Sequence, residues 1–304
     1  MKIGVVVPQG WVLEYLGWEA APAWARTVAV AGEAERLGFE SIWMYDHFHS
    51  WPRPRDTVVF EPFVALTALA ALTSRVRIGH IVICTGFRNP ALTAKMISTL
   101  DVVSGGRAEL GIGAGWKQEE WEAFGYHYPS TRERLSALRD HLEVITRMLQ
   151  PGDGRATFDG RYARVAGAIN QPKPLQRPRV PVMVGGNGPE VTWRLAARFA
   201  DELNLDGMTP SEVADALPVI QARCEEVGRD PASLAVSVHT WRESPGVSTP
   251  GQARVELYAG YAELGVTRVQ SFIDGMVDGP EALEAFAADM RAAGASLEPE
   301  AAEG

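Results

Sequence analysis

Short apolar segments alternate with amphipathic segments along almost the whole chain, and this alternation constrains the fold more than any other feature. Eight apolar segments are rich in Val and Ile and mostly unbroken, which is typical of parallel strands covered on both faces. They are Ile3–Val7, Ser41–Tyr45, Val76–Thr85, Arg107–Gly113, Val180–Val184, Glu202–Leu205, Leu234–His239 and Arg268–Ile273.

Eight helical patterns alternate with these strands. Two have clear starts, a capping box at Ser130 and Glu133 and an N-cap at Thr209 followed by Pro210. The others are Ala23–Leu37, Pro62–Thr73, Ala91–Ser104, Pro189–Ala200, Gln252–Leu264 and Pro280–Ala293. Strict strand–helix alternation in eight units favours an α/β fold of the (β/α)8 class, a TIM barrel, over a doubly wound sheet.

The connections between these elements are unequal in length. Helix-to-strand links are brief, whereas two strand-to-helix links, Asp46–Glu61 and Ala114–Pro129, are long. Barrel active sites lie at the carboxyl ends of the strands, where such loops gather. The exception is an insertion at about 150–179, in which Asp159-Gly160 predicts a tight hairpin turn between two short strands. We expect residues 1–295 to form one domain and the acidic residues 296–304 to be a disordered tail.

Charge and cysteine content exclude several classes of protein. The chain has 29 basic and 38 acidic residues, so no excess of positive charge is available for nucleic acid or an anionic membrane. Its 2 cysteines have no zinc-module spacing. Because no apolar run is long enough for a signal peptide or a membrane span, we expect a cytoplasmic protein.

Ionisable side chains follow the second strand directly, in the stretch SIWMYDHFHSW. At a strand end His47 can move a proton or hold a developing negative charge. Asp46 can accept a hydrogen bond from a ligand hydroxyl or hold the tautomer of His47, and Trp51 can supply an aromatic wall. His47 and His49 also resemble a metal pair, so a metal-dependent TIM-barrel hydrolase is one alternative.

Glycines and tryptophans also collect after strand ends. GIGAGW follows the fourth strand and VGGNGPE follows the fifth, and bare amides at such turns can hold a phosphate. Their glycines are Gly111, Gly113, Gly115, Gly185, Gly186 and Gly188. Trp11, Trp51 and Trp116 fall just beyond strands on the same rim, which suits a flat ligand.

Four longer motifs resemble the luciferase-like (bacterial luciferase-type) flavin and deazaflavin oxidoreductases, and within them the branch that depends on coenzyme F420. They are GFESIWMYDHFHSW, GFRNPALTAKMISTLDVVSGGRAELGIGAGW, AFGYHYPSTRERL and VGGNGPEVTWRLAARFADELN. The resemblance implies a barrel with an insertion, a homodimer, and a cofactor at the carboxyl ends of the strands. By its analogy Asp46 meets the deazaflavin, His47 is catalytic at the reacting centre, and Trp51 lines the substrate side.

The same resemblance implies further site residues. The cofactor phosphate would contact Gly113, Ala114 and Gly115, together with Gly185, Gly186, Asn187 and Gly188. A bulge with a non-prolyl cis peptide would fall at Ile81-Val82, behind the ring. Sugar-phosphate dehydrogenases of the family have an acidic glutamate where this chain has Trp116, which favours an apolar or aromatic substrate. Arg53, Arg55 and Arg88 are candidates to flank the acidic tail of F420.

Together these features predict an F420-dependent oxidoreductase that transfers a hydride between the deazaflavin and a small organic substrate. Such an enzyme would need no reductase partner. The nearest alternative is an FMN-dependent monooxygenase with a separate reductase, since the glycine turns would serve the phosphate of FMN as well.

Overall fold

A closed barrel of parallel strands forms the body of the protein, and the computed structural model describes residues 1–152, 154–244 and 246–297. Eight strand positions surround the axis, and pairing between β3 and β5 closes the ring. The strands are β1 Lys2–Val6, β2 Ser41–Met44, β3 Arg77–His80, β4 Ile83–Cys84, β5 Ala108–Gly113, β6 Ala156–Asp159, β7 Arg164–Ala168, β8 Val182–Gly185, β9 Glu202–Asp206, β10 Ala235–Thr240 and β11 Arg268–Ser271. The predicted TIM barrel is confirmed.

The third barrel position is divided between two strands. The sequence predicts one strand over Val76–Thr85, but β3 pairs with β2 whereas β4 pairs only with β5. The Ile81-Val82 peptide between them is cis, at the place that the family resemblance implies. The bulge turns both residues toward the carboxyl end of the barrel, where they line a cavity.

Helices cover the outside of the barrel. They are α1 Ala20–Leu37, α2 Pro62–Leu72, α3 Pro90–Val103, α4 Gln118–Ala123, α5 Thr131–Leu149, α6 Thr192–Phe199, α7 Pro210–Glu226, α8 Gln252–Glu263 and α9 Glu281–Ala292. The capping box of Ser130 and Glu133 starts α5 as predicted. Helix α6 begins at Thr192 and not at Pro189, because residues 189–191 form a turn that ends with Val191 in a non-helical conformation.

The insertion forms an antiparallel hairpin of β6 and β7, as predicted. Its turn is wider than an Asp159-Gly160 turn, since Asp159 still pairs with Arg164 and the chain reverses between them. The Gly160 N–H donates to the Ala163 carbonyl, and the Tyr162 N–H donates to Asp140 of α5. The buried carboxylate of Asp140 therefore fixes the longer turn.

Buried charges fill the amino-terminal end of the barrel. The Arg268 guanidinium donates to Glu109 at 2.5 Å and to Glu40 at 3.1 Å. Burial alone would raise the pKa of Glu109, but Arg268 and Arg77 hold it at about 2. This end of the barrel is therefore held together by a charge network that lies far from the carboxyl ends of the strands.

The last described residues pack against the barrel. The Ser296 N–H donates to the Met1 carbonyl, and Leu297 is buried. These are the first two residues of the predicted disordered tail, whose residues 298–304 lie outside the described residues. No helix of the described residues is long and apolar enough to cross a membrane.

Candidate active site

A cavity of about 270 Å³, here called the inner cavity, opens at the carboxyl ends of the barrel strands. It brings together most of the residues predicted from the sequence. These are Trp11, Asp46, His47, Ile81, Val82, Gly113, Ala114, Gly115, Trp116, Gly185 and Gly186. The two glycine turns and the His47 imidazole therefore share one site.

A second cavity of about 530 Å³, the outer cavity, continues from the inner one. Trp51 lines it, next to Trp11 and Trp116, which border both cavities. Asn187 and Gly188 line neither cavity. The Asn187 amide instead bonds the backbone of Asp206, with its Nδ2 2.7 Å from the Asp206 carbonyl oxygen, and so ties β8 to β9.

The His47 ring is held from two sides. It stacks on the Trp11 indole, with ring centroids 4.2 Å apart and planes 3° from parallel. Its Nδ1 lies 2.6 Å from Oε2 of Glu120. Only 12% of the His47 side chain is exposed, so the ring faces the cavity rather than bulk water. The remaining nitrogen, Nε2, is the one left for proton exchange.

Glu120 is a residue of the inner cavity that sequence reasoning missed. Its Oε1 accepts the N–H groups of Phe48 at 2.6 Å and His49 at 3.1 Å, while Oε2 faces His47. Burial raises its pKa, but the hydrogen bond and charge of His47 and the two amides lower it more. An ionised carboxylate only accepts hydrogen bonds, which assigns the proton to Nδ1 of His47.

A helical signal for Glu120 was present in the sequence. Lys117, the N-cap of α4, stands three and four positions before Glu120 and Trp121 within the link that the sequence predicts as loop, and all three side chains are buried. The neighbouring Glu119 and Glu122 are exposed. Spacing therefore separates the inward glutamate from the outward ones.

Asp46 lines the inner cavity, and its side chain is completely buried. Its Oδ2 accepts the Cys84 N–H at 2.8 Å and the Arg88 guanidinium at 2.7 Å, while Oδ1 has no hydrogen-bond partner. Burial raises the pKa of Asp46, and Arg88 and the Cys84 amide oppose that rise. Asp46 does not hold the His47 tautomer, because Glu120 does. Arg88 is buried between Asp46 and Glu61, which removes it from the candidates for a surface basic flank.

Glycine is required at both turns by close packing around Val82. A Cβ on Gly113 would lie 2.8 Å from one methyl of Val82, and a Cβ on Gly185 would lie 2.9 Å from the other. Gly186 has φ of 129°, which favours glycine, and its carbonyl accepts the Trp193 indole N–H at 3.0 Å. The backbone of both turns is thus fixed in position, and the Gly186 N–H already donates to the Asn204 carbonyl at 3.0 Å.

A second polar chain, also missed from the sequence, crosses the opposite wall. The Tyr45 hydroxyl lies 2.9 Å from His239 Nε2, and His239 Nδ1 lies 2.9 Å from Asp206 Oδ1. The Trp241 indole N–H donates to the same oxygen at 2.9 Å. Burial raises the pKa of Asp206, but these hydrogen bonds lower it more. His239 lies near the end of β10 and Trp241 directly follows it, much as His47 and Trp51 follow β2, so the same strand-end argument would have found them.

The predicted histidine pair does not form a metal site. His49 points to the buried Lys117, whose Nζ lies 3.3 Å from His49 Nδ1, and burial lowers the pKa of Lys117. Within residues 1–152, 154–244 and 246–297, no group of three or more His, Cys, Asp or Glu side chains is arranged to hold a metal ion. A hydrolase that uses His47 and His49 has no ligand set in this part of the chain.

Known proteins share the sequence and the fold. An F420-dependent glucose-6-phosphate dehydrogenase of Kineococcus radiotolerans is 38% identical over 172 residues, 56% of this chain and 49% of that enzyme. A 5,10-methylenetetrahydromethanopterin reductase of Methanopyrus kandleri is 28% identical over 218 residues, 68% of this chain and 59% of that enzyme. The aligned segments therefore span only about half of these relatives.

A solved structure extends the likeness over the whole barrel. An F420-dependent secondary alcohol dehydrogenase, determined in complex with an F420-acetone adduct, superposes with a TM-score of 0.76 at 22% identity. The superposition covers 93% of this chain and 98% of that one. The sequence profile described as luciferase-like monooxygenase matches residues 1–242, and the chain belongs to that family.

Proposed function

We propose that this protein is an F420-dependent oxidoreductase that transfers a hydride between the deazaflavin and a small organic substrate. The observation that carries the proposal is the buried Asp46 oxygen without a partner, which lies in the same cavity as the two bare glycine turns. A buried acceptor of this kind is costly unless a ligand donates to it. The relatives named as F420-dependent enzymes support this choice of cofactor over FMN.

The residues present fit such a cofactor. Gly113, Ala114 and Gly115, with Gly185, would hold the phosphate through backbone amides, and Gly186, whose N–H donates to the Asn204 carbonyl, would let the phosphate approach closely. Asp46 would accept a hydrogen bond from the ring system, and Ile81-Val82 would lie behind it. When bound, F420 supplies or takes up the hydride.

Protein side chains would handle the accompanying proton and the substrate. His47 would exchange a proton through Nε2, because Glu120 holds Nδ1. Trp51 and Trp116 would form the wall against which the apolar or aromatic part of a substrate lies, and Trp116 is 56% exposed before anything covers it. Glu120 fixes the His47 ring that would exchange the proton, and the fold holds the Trp51 and Trp116 rings that would contact the substrate.

Cofactor titration tests the proposal directly. We expect calorimetry to give a Kd for F420 of about 1 µM to 10 µM, a free energy near −7 to −8 kcal/mol, with FMN at least about 100-fold weaker. Tighter binding of FMN than of F420 would overturn the choice of cofactor. Binding of neither would overturn the proposed function.

Replacement of His47 tests the proton path. His47→Ala should keep F420 affinity within severalfold but remove most turnover with reduced F420 and small carbonyl or imine acceptors. His127→Ala is the matched control, since that imidazole is exposed and lines neither the inner nor the outer cavity. Full activity in His47→Ala would show that the proton travels elsewhere.

Assembly and electron supply complete the proposal. We expect a homodimer, which sedimentation equilibrium would measure, and turnover with F420 without any added reductase. A requirement for a separate reductase would favour the FMN-dependent alternative instead.

A further inference from the structure

The outer cavity is walled by indole rings. Trp11, Trp51 and Trp241 pack in mutual contact, with centroids 5.6 Å to 6.5 Å apart and planes tilted by 34° to 49°. Trp116 adds a fourth and more exposed ring. The faces of indoles carry negative electrostatic potential and attract organic cations more strongly than other side-chain rings do.

A carboxylate stands in this aromatic wall without a permanent counter-ion. Asp206 Oδ1 accepts the Trp241 indole N–H and faces Nδ1 of His239, whose Nε2 is engaged by the Tyr45 hydroxyl. Within the described residues, no Lys or Arg forms an ion pair with Asp206. The Asp206 side chain is 49% exposed, so a guest in the outer cavity would cover it.

The charged side chains that line the outer cavity, Asp206 and Glu243, are both acidic. Glu243 also lines the outer cavity and pairs with Arg242, which lies 3.5 Å from Asp274 as well. The Arg242 guanidinium therefore offsets two carboxylates, Glu243 and Asp274, and the Asp206 carboxylate is a further negative charge beside them. A neutral ligand would remove water from the Asp206 carboxylate without supplying an opposite charge, which costs free energy. The anionic tail of F420 would be repelled by the same carboxylate.

We infer that the outer cavity is a binding site for an organic cation of the substituted-ammonium class, held by the indole faces and the Asp206 carboxylate. The outer cavity shares Trp11, Trp116, Asp206 and Trp241 with the inner cavity that His47 lines, so its occupant would sit next to the proposed reacting centre. The statement that this cation is the substrate rests on the proposed function. The statement that the outer cavity binds a cation is independent of it.

Choline and its neutral isostere 3,3-dimethylbutan-1-ol test the inference on the full chain without cofactor. Tryptophan fluorescence and calorimetry would measure both affinities. Cation–π attraction of about 1–2 kcal/mol plus the carboxylate predicts that choline binds at least about tenfold more tightly than the alcohol. Equal affinities, tighter binding of the alcohol, or no saturable choline binding below about 100 mM would overturn the inference.

Two variants locate the effect. Asp206→Asn should weaken choline at least about fivefold and leave the alcohol unchanged, and Glu243→Gln should weaken choline about twofold, because its carboxylate is already paired. Glu225→Gln removes the same charge from an exposed position of α7 and should change neither affinity. Thermal unfolding checks that each variant is folded. Choline affinity that survives both cavity variants would contradict the assignment. Since no arm contains F420, failure here is distinct from failure of the proposed function.

Discussion

The Glu120 carboxylate offers the sharpest test of how this site handles a proton. In Glu120→Gln the amide oxygen can still accept the N–H groups of Phe48 and His49, so the loop after β2 keeps its anchor. The amide nitrogen, however, then faces Nδ1 of His47 where a carboxylate oxygen lay at 2.6 Å. Two donors cannot face each other, so the imidazole must place its proton on Nε2.

The expected loss follows from the bond that is removed. A hydrogen bond to a buried charged group contributes about 1.5–3 kcal/mol, which corresponds to about a 10- to 150-fold lower rate of hydride transfer. Stopped-flow single-turnover kinetics with F420 would measure it. Nitrogen-15 NMR of the histidine ring would report the tautomer without any substrate.

The matched control is Glu119→Gln, one residue away on α4 and exposed. It should leave both the rate and the tautomer unchanged. A rate within about threefold of wild type in Glu120→Gln, or an unchanged His47 tautomer, would refute the reasoning. An equal loss in both variants would refute it too, because it would trace the effect to net charge.

Three further outcomes follow from the structure. Gly185→Ala places a methyl 2.9 Å from Val82, so the F420 Kd measured by calorimetry should rise at least about tenfold; an unchanged Kd would mean the turn does not hold the cofactor. Glu109→Gln leaves the Arg268 charge short of a partner and should lower the free energy of unfolding in urea by about 3 kcal/mol, whereas a loss under about 1 kcal/mol would count against the network. Burial lowers the pKa of His80 to about 3, below the roughly 6.5 of the unfolded chain, so its contribution to stability is present above about pH 6.5 and is lost as pH falls toward about 3. His80→Leu should therefore flatten the stability profile by about 1.4 kcal/mol per pH unit there, and an unchanged slope between about pH 6 and 4 would contradict this.

The barrel was predictable because each strand and helix carries its own periodicity. The capping box at Ser130 and the unbroken apolar strands are local signals that tertiary packing reinforced. The ends of helices and strands were harder to predict where tertiary packing overrides the local conformational preference of the residues. Residues 189–191 form a turn before α6, and the bulge at Ile81-Val82 divides a segment whose composition reads as one strand. The resemblance to a family, not the local pattern, indicated that bulge.

Site residues were predictable where they follow a strand directly. Asp46 and His47 were found because they interrupt an apolar run, and the structure puts both in the inner cavity. Glu120 was missed because its link was predicted as a loop; the spacing of Lys117, Glu120 and Trp121 could have marked Glu120 as buried, but its pairing with His47, 73 positions earlier, leaves no mark in a single sequence. Asn187 was placed with the glycines by the family resemblance, although its side-chain amide is hydrogen-bonded to the Asp206 backbone.

The two walls of the site are fastened to the barrel by different means. On one side a single carboxylate of α4 locks the segment after β2, so that small shifts there would disturb proton chemistry at once. The other wall depends on Trp241 and Glu243, side chains beyond the end of β10. Trp241 packs against Trp51 and against the Trp11 ring on which His47 stacks, whereas Glu243 lines the outer cavity and not the inner one. A designer seeking a new substrate would therefore vary Glu243 before Trp241 and expect the machinery for moving protons to survive the change.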